Sequence, residues 1–189
     1  MAKLPHHRNS RTSTSNYEPM YLANFEVILT PPPAVAGWDL VMENVTKIGG
    51  LETNKMPEVV DDQQFKGNAR SFAGGTIAGN NTVDLTLDFE VNLNDNNSAF
   101  VYKALKQWTD IIYDPLTGRR GLKKDYLGGP MVISMFNNEG DIFMQWKFPE
   151  VFPTSAAELD IGDLSYDENG IFKIEGFTLR ADYFEHTIL

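Results

Sequence analysis

The feature that most constrains the fold is a strict alternation of apolar and polar residues from Asn81 to Val91 (NTVDLTLDFEV). Side chains on a β-strand point alternately to its two faces, so a period of two predicts one buried and one water-facing side. Such a strand needs a second layer to cover its apolar face, which favours a sandwich or a barrel. The water-facing side is acidic and carries Asp84, Asp88 and Glu90.

Eight further segments have apolar patterns typical of strands and are bounded by Gly, Pro, Asn or Asp. They are Tyr21–Thr30, Trp38–Val45, Glu52–Val60, Arg70–Ile77, Met131–Phe136, Ile142–Phe148, Leu159–Tyr166 and Ile171–Phe184. The turns Asn137–Gly140 and Asp167–Gly170 predict hairpins, and Gly176 predicts a bulge in the last strand.

One segment has the spacing of an amphipathic helix. Asn97 or Ser98 is expected to cap its first turn, and Asp114-Pro115 is expected to end it. The apolar face consists of Val101, Ala104, Leu105, Trp108, Ile111 and Ile112. The sequence therefore predicts a mainly β fold, an antiparallel β-sandwich or barrel with one flanking α-helix.

Residues 51–79 are too polar and too rich in glycine to form core. They predict a hairpin that projects from the body, with its turn at Asp61–Asn68 and Pro57 marking an edge. A hairpin short of apolar residues usually either finds its partners on another chain or stays mobile. The candidate contact residues are Glu52, Met56, Val59, Asp61, Asp62, Phe65, Arg70 and Phe72.

The charge is distributed unevenly along the chain. The formal net charge is -10, although the first eleven residues contain three basic residues and no acid. The polar, aperiodic residues 1–20 predict an N-terminal arm, followed by a single β-domain over 21–189. The acidic body should repel a phosphate backbone, which suits either solubility or a surface past which nucleic acid slides.

One basic run stands out in the loop after the helix. It consists of Arg119, Arg120, Lys123 and Lys124, with only Tyr113 and Tyr126 nearby as aromatic residues. A groove that binds single strands combines charge with stacking platforms. Neutralisation of an acidic neighbouring subunit is therefore the favoured interpretation of this loop.

Residues for catalysis or metal binding are scarce. The chain has no cysteine, no Ser elbow, no Walker motif and no zinc-protease motif, and its histidines are His6, His7 and His186. Asp167–Gly170 lacks the Glu six residues after the Gly that a calcium loop needs. We expect no enzyme activity, no cofactor and no metal site. No apolar run reaches the roughly 20 residues of a membrane helix, so no membrane insertion is expected.

The order of these elements resembles the tail tube protein of contractile-tailed, T4-like bacteriophages. The likeness covers about residues 21–186. It rests on Phe25-Glu26-Val27, Leu51-Glu52 before Met56-Pro57, the strand Thr82–Val91, Lys106-Gln107-Trp108, Phe152-Pro153-Thr154, Ser165-Tyr166-Asp167 and Phe177–Glu185. The first 20 residues and the loop 114–129 depart from the family pattern.

The resemblance implies a structural subunit that forms stacked, hexameric rings around a lumen through which DNA passes without specific binding. The implied partners are further copies of the chain, a tail sheath, a baseplate and a tail terminator. The protein would be part of the virion and would assemble in the host cytoplasm. Hairpin 51–79 resembles the element that contacts the next ring. Asp84, Asp88 and Glu90 are candidates to face the lumen, with the sheath side as the open alternative.

Two alternatives remain open from the sequence. The chain could be the tube of a related machine, such as a type VI secretion system or a phage-derived bacteriocin. It could instead be a monomeric carbohydrate-binding sandwich, which would need Trp38, Trp108 and Trp146 on an exposed platform. The spacing of Trp108 and Trp146 places both in the core instead.

Overall fold

The computed structural model describes residues 21–36, 38–53, 56–65, 68–77, 82–91, 100–158 and 172–189. Ten strands and three helices follow one another along these ranges. They are β1 (Phe25–Leu29), α1 (Trp38–Glu43), β2 (Val45–Gly49), β3 (Pro57–Phe65), β4 (Asn68–Ile77), β5 (Val83–Glu90), α2 (Phe100–Ile112), α3 (Lys123–Tyr126), β6 (Met131–Phe136), β7 (Ile142–Phe148), β8 (Val151–Pro153), β9 (Lys173–Ala181) and β10 (Glu185–Ile188).

The strands form two four-stranded antiparallel sheets and one separate hairpin. Sheet A has the order β1-β6-β7-β10, and sheet B has the order β2-β5-β9-β8. Strands β3 and β4 pair only with each other. Each large sheet keeps two edge strands, so the architecture is an open sandwich, and the prediction of a mainly β, sandwich-like fold is confirmed.

The core lies on the apolar faces of the two sheets. Strand β5 alternates as predicted, with Val83, Leu85, Leu87 and Phe89 buried. Sheet A contributes buried side chains that include Ile133 and Phe148. Burial of one such side chain stabilises the fold by about 1.5–3 kcal/mol, which explains why the period of two in β5 is kept so strictly.

Helix α2 buries its predicted apolar face. Val101, Ala104, Leu105 and Trp108 are buried, while Ile111 is only partly covered. The indole Nε1 of Trp108 donates a hydrogen bond to the carbonyl of Tyr126 at 2.7 Å, so the one polar atom of this side chain is satisfied. The ring thereby connects the helix to the segment that leads into sheet A.

The strand predicted at Trp38–Val45 is wrong. Residues Trp38–Glu43 form helix α1, which packs against α2, and the strand begins only at Val45. Val41 is fully buried in the common core. This segment is short and its apolar run fits either periodicity, so packing against α2 decided its conformation.

The last strand predicted at Ile171–Phe184 is too long: β9 ends at Ala181, and a separate strand that was not predicted, β10, begins at Glu185. β9 pairs with β5 in sheet B, whereas β10 pairs with β7 in sheet A, and the chain changes sheets at 182–184. The predicted bulge at Gly176 is confirmed. Gly176 has a φ of +72°, and the register of β9 against β5 shifts beside it.

Both predicted hairpins of the described chain are present. β6 and β7 have the predicted bounds, with the turn 137–141 between them, and β3 and β4 extend further towards each other than predicted. The predicted arm 1–20, the cap at Asn97 or Ser98 and the hairpin around Asp167–Gly170 lie outside the described residues.

Candidate functional site

The hairpin β3–β4 is a separate two-stranded sheet among the described strands and exposes apolar side chains. Met56, Val59, Val60 and Phe72 are between 50% and 71% exposed. Val60 lies opposite Phe72 in the ladder, and Val59 lies opposite Ala73, so apolar residues are present on both faces. Exposed apolar residues grouped in this way typically mark an interaction surface.

The other predicted contact residues are distributed along the same element. Asp61 pairs with Ser71, Asp62 with Arg70, and Phe65 with Asn68 in the backbone ladder. Glu52 precedes the hairpin, and its carbonyl accepts a hydrogen bond from Nε1 of Trp146 at 2.9 Å. Glu52 therefore anchors the base of the hairpin on sheet A. That these residues contact another ring stays a prediction.

The three predicted lumen acids lie on the water-facing side of sheet B, and each has a basic cross-strand neighbour. Asp84 lies opposite Arg180, Asp88 opposite Lys47, and Glu90 opposite Lys173. The sequence of β5 alone made this face look acidic, but strands from distant parts of the chain balance its charge. Whether this face lines a lumen remains a prediction.

The Asp84–Arg180 pair has the best geometry of these contacts. Nε and Nη2 of Arg180 donate to the two carboxylate oxygens at 2.7 Å each. This bidentate contact lowers the pKa of Asp84 below its ordinary value. The Asp88 carboxylate accepts from the backbone N–H of Gly176 at 2.8 Å and lies 3.3 Å from Nζ of Lys47. Asp88 therefore supports the bulge.

The loop after α2, residues 113–124, is held in shape by its own hydrogen bonds; we call it the basic loop. The Asp114 carboxylate accepts from the backbone N–H of Leu116 at 2.9 Å and from Oγ1 of Thr117 at 2.5 Å. These bonds lower the pKa of Asp114. The N–H of Asp114 donates to the carbonyl of Arg119, and Gly118 has a φ of +68°.

The four basic residues predicted to act together differ in their contacts. Lys123 pairs with Asp182 at 2.6 Å, which raises the pKa of the lysine. Arg119, Arg120 and Lys124 are exposed, and no ion pair holds them within the described part of the chain. Lys123 therefore fixes the loop to the body, whereas the other three remain available to a partner.

A groove that the sequence did not reveal opens between the edge strands β1 and β2. Its volume is about 690 Å³, and it is lined by Leu22, Ala23, Phe25, Val45, Thr46, Lys47, Ile48, Leu51, Ile133 and Met135. Its walls are mostly apolar. It exists because neither edge strand is covered by another element in the described ranges. No periodicity in one segment predicts it, because its two walls belong to different sheets.

The described residues contain no group of His, Cys, Asp and Glu that could hold a metal ion. Among the same residues, no helix is long and apolar enough to cross a membrane. Trp108 and Trp146 are buried, as predicted, so neither is available to a carbohydrate platform. What the arrangement provides is a set of contact surfaces: the hairpin, the basic loop and the groove.

No protein-family model and no curated protein sequence matches the chain. Solved structures do match it. A chain of the anti-feeding prophage cap, the tube terminating cap, has a TM-score of 0.58 and 19% identity, covering 94% of this chain and 96% of that one. A chain of the sheath–tube complex of the extracellular contractile injection system PVC has a TM-score of 0.54 and 19% identity, covering 95% and 97%.

A third match is to the PVC sheath/tube terminator, with a TM-score of 0.54, 19% identity and coverage of 92% and 99%. At this level of identity the likeness shows the fold. The prediction that the chain has the fold of contractile tail tube proteins is therefore confirmed.

Proposed function

We propose that the chain is a structural, non-catalytic subunit of the tube of a contractile injection particle. The observation that carries this proposal is the hairpin β3–β4, which exposes apolar residues on both faces and packs chiefly on itself. A two-stranded hairpin alone is marginally stable in water. In a tube, the next copy of the chain would cover it, which explains why such an element is present.

The free edges of the sandwich support the same proposal. Within the described ranges β1, β2 and β10 each pair with one strand, and such edges are open to pairing with another chain, whereas the β8 edge is partly covered because Val151 also pairs with Gly128. Closed rings of copies would use these edges and remove the hazard of uncontrolled aggregation. In this proposal the rings are hexameric, as in the family that the sequence resembles, and they stack around a lumen.

The proposed partners follow from that assembly. They are further copies of the chain, a sheath around the tube, a baseplate at one end and a terminator at the other. In a phage tail the lumen would conduct DNA, and the charge-balanced face of sheet B suits a wall that holds no phosphate backbone. The protein would then be located in the particle itself.

The second candidate function is that of a cap on the tube end. Two of the matched structures are named as a tube terminating cap and a sheath/tube terminator. A cap would form a single ring and would bind the end of a tube made by another protein. The same hairpin would then contact that tube.

Negative-stain electron microscopy of the purified chain over a concentration series tests both candidates. Hollow tubes with a central channel are expected for a tube subunit. Single rings at every concentration would favour the cap instead. A monomer that neither assembles nor binds added tubes of the same particle would contradict both functions.

A further inference from the structure

The basic loop has a defined conformation within the single chain. Two backbone hydrogen bonds close it, from the N–H of Asp114 to the carbonyl of Arg119 and from the N–H of Gly121 to the carbonyl of Ile112, both at 3.0 Å. A Cβ on Gly121 would lie 2.1 Å from the carbonyl oxygen of Ile111, the residue before Ile112, so the close approach requires glycine. Little ordering entropy therefore remains to be lost when the loop docks.

The loop presents a mixed surface of charge and apolar area. Leu116 is 95% exposed, and Leu122 is also exposed. The guanidinium groups of Arg119 and Arg120 and the ammonium group of Lys124 lie beside them in sequence and are exposed to solvent. Loop residues 113–124 contain four of the 16 basic residues of the chain but only one of its 26 acids. The natural complement of this loop is an acidic surface.

The complement is present on the chain itself, in the turn 137–141, which we call the acidic turn. Oδ1 of Asn137 accepts hydrogen bonds from the N–H groups of Glu139 and Asp141, at 2.9 and 2.8 Å. The side chains of Glu139 and Asp141 are exposed, and no ion pair engages them within the described ranges. The turn therefore holds two carboxylates at a defined place.

The basic loop and the acidic turn are associated with opposite ends of sheet A. The loop leads through Gly128, which pairs with Val151, into the start of β6 at Met131. The acidic turn follows the end of β6 at Phe136. Six residues at about 3.3 Å each separate the two ends by roughly 20 Å. The two charges therefore do not meet within one copy, but they can meet between two copies arranged head to tail.

The positions of the hairpin and the groove can be compared with those of the basic loop and the acidic turn. The hairpin returns to the body at Val83, which pairs with Ala181, and Ala181 pairs with Val151, which in turn pairs with Gly128 after the basic loop. The groove between β1 and β2 extends to the other end, where Phe25 pairs with Met135 near the acidic turn. The groove also reaches Leu51 beside the base of the hairpin, so it runs along the molecule, and the complementary features at the two ends are the charged ones.

We propose that the basic loop of one copy docks on the acidic turn of the next copy and so sets the direction in which copies stack. This inference rests on the proposed function and names the contact that gives the stack its polarity. A head-to-tail contact is heterologous, so it propagates instead of closing into a dimer. Complementary charges at such a contact raise the rate of encounter and exclude the reversed orientation.

Two double charge reversals test this contact, R119E/R120E and E139K/D141K. Each variant has ends of like charge and should assemble poorly alone, with a critical concentration raised at least about tenfold in low salt. An equimolar mixture of the two should assemble again, because the acidic loop of the first variant faces the basic turn of the second, and the basic loop of the second faces the acidic turn of the first. The matched control is K103E/K106E, which makes the same charge change on exposed positions of α2 and should assemble like the wild type.

The readouts are sedimentation and negative-stain microscopy. Thermal unfolding of the monomers is measured as well, and every variant should unfold at the wild-type temperature. Reversals that assemble like the wild type overturn the inference, and so does a mixture that stays unassembled. Loss of double-stranded DNA binding in R119E/R120E with unchanged assembly would also overturn it, since the loop would then serve nucleic acid. The wild-type protein could associate without forming a tube, in a way that salt and the charge reversals both weaken. That result would overturn the proposed function and leave the contact between loop and turn intact. A strict monomer would overturn both.

Discussion

Strand β5 and the hairpin β3–β4 are both β-structure, and they are stabilised in opposite ways. In β5, Val83, Leu85, Leu87 and Phe89 are at most 2% exposed, and the strand pairs on both sides. In the hairpin, Val59 and Phe72 are more than half exposed, and each strand has one partner. The same kind of secondary structure thus serves as core in one region and as a free surface in the other.

The two regions differ in the interactions that stabilise them. Burial of apolar area stabilises the sandwich, whereas the hairpin gains mainly its ladder hydrogen bonds, whose net contribution is small in water. Substitutions in β5 should therefore change the stability of the monomer. Substitutions in the hairpin should change assembly and leave the monomer stable.

The largest effect is expected for Leu87→Ala. Leu87 is fully buried, so truncation should lower the free energy of unfolding by about 2–5 kcal/mol. Urea denaturation followed by tryptophan fluorescence measures it, with Val59→Ala in the hairpin as the matched control at below about 0.5 kcal/mol. Equal losses at the two positions would remove the distinction between the two regions.

A second prediction concerns the junction between sheet B and the hairpin. Gly50 has a φ of +80°, and a Cβ there would lie 2.1 Å from the backbone oxygen of Asp84, so Gly50→Ala should cost several kcal/mol, on the order of 3. Gly140 has a φ of +92° with open space around it, so Gly140→Ala should cost only about 1 kcal/mol. Thermal unfolding of Gly140→Ala measures the cost of the dihedral strain, and that of Gly50→Ala measures the same strain together with the steric clash. Similar losses for both variants would contradict the close approach.

A third prediction tests the hairpin as a contact surface. Phe72→Ser should change the free energy of unfolding of the monomer by less than about 0.5 kcal/mol, because the ring is already half in water. Assembly, followed by light scattering, should weaken clearly. The control is Ala73→Ser, the next residue on the opposite face, and it should assemble nearly as the wild type does. Normal assembly of Phe72→Ser would remove this face of the hairpin from the contact.

The smallest effect is expected for Asp84→Asn, which removes the pair with Arg180 in sheet B. Both side chains are more than 40% exposed, so solvent screens the pair and the loss at pH 7 should stay below about 1 kcal/mol. The hydrogen bonds from Arg180 hold the folded-state pKa of Asp84 below its ordinary value of 3.8. The contribution is therefore present above the unfolded pKa and is lost as the pH falls through the folded one. Stability measured from pH 7 to pH 2 should show the difference from wild type disappear at low pH.

Glu175→Gln is the control for this pH profile, because Glu175 is an exposed acid of sheet B that has no ion pair in the described ranges. It should follow the wild-type curve throughout. A difference between wild type and Asp84→Asn that persists at the lowest pH would mean that packing, and not the charge of Asp84, is responsible.

Where the pattern was long or the turn chemistry was specific, the sequence predicted the local structure well. The period of two in β5, the helix around Trp108 and the hairpin of β6 and β7 were correct, because burial of one face enforces each period. The segment 38–45 was wrong, the last predicted strand ended early at Ala181, and β10 was missed, because short or bent segments depend on their neighbours more than on their own residues.

For the surfaces, the sequence alone predicted less than it did for the strands and the helix. The acids of β5 were visible in the sequence, but their bases come from Lys47, Lys173 and Arg180, far away in the chain. The basic loop was visible as a run of charge, while the acidic turn was recognised only as a turn. What the sequence determined by itself was therefore the set of elements and the faces that they bury, since periodicity and turn residues are local. Only the tertiary structure decided which charges are paired, where the groove opens and which features lie at opposite ends, because these depend on which distant strands become neighbours.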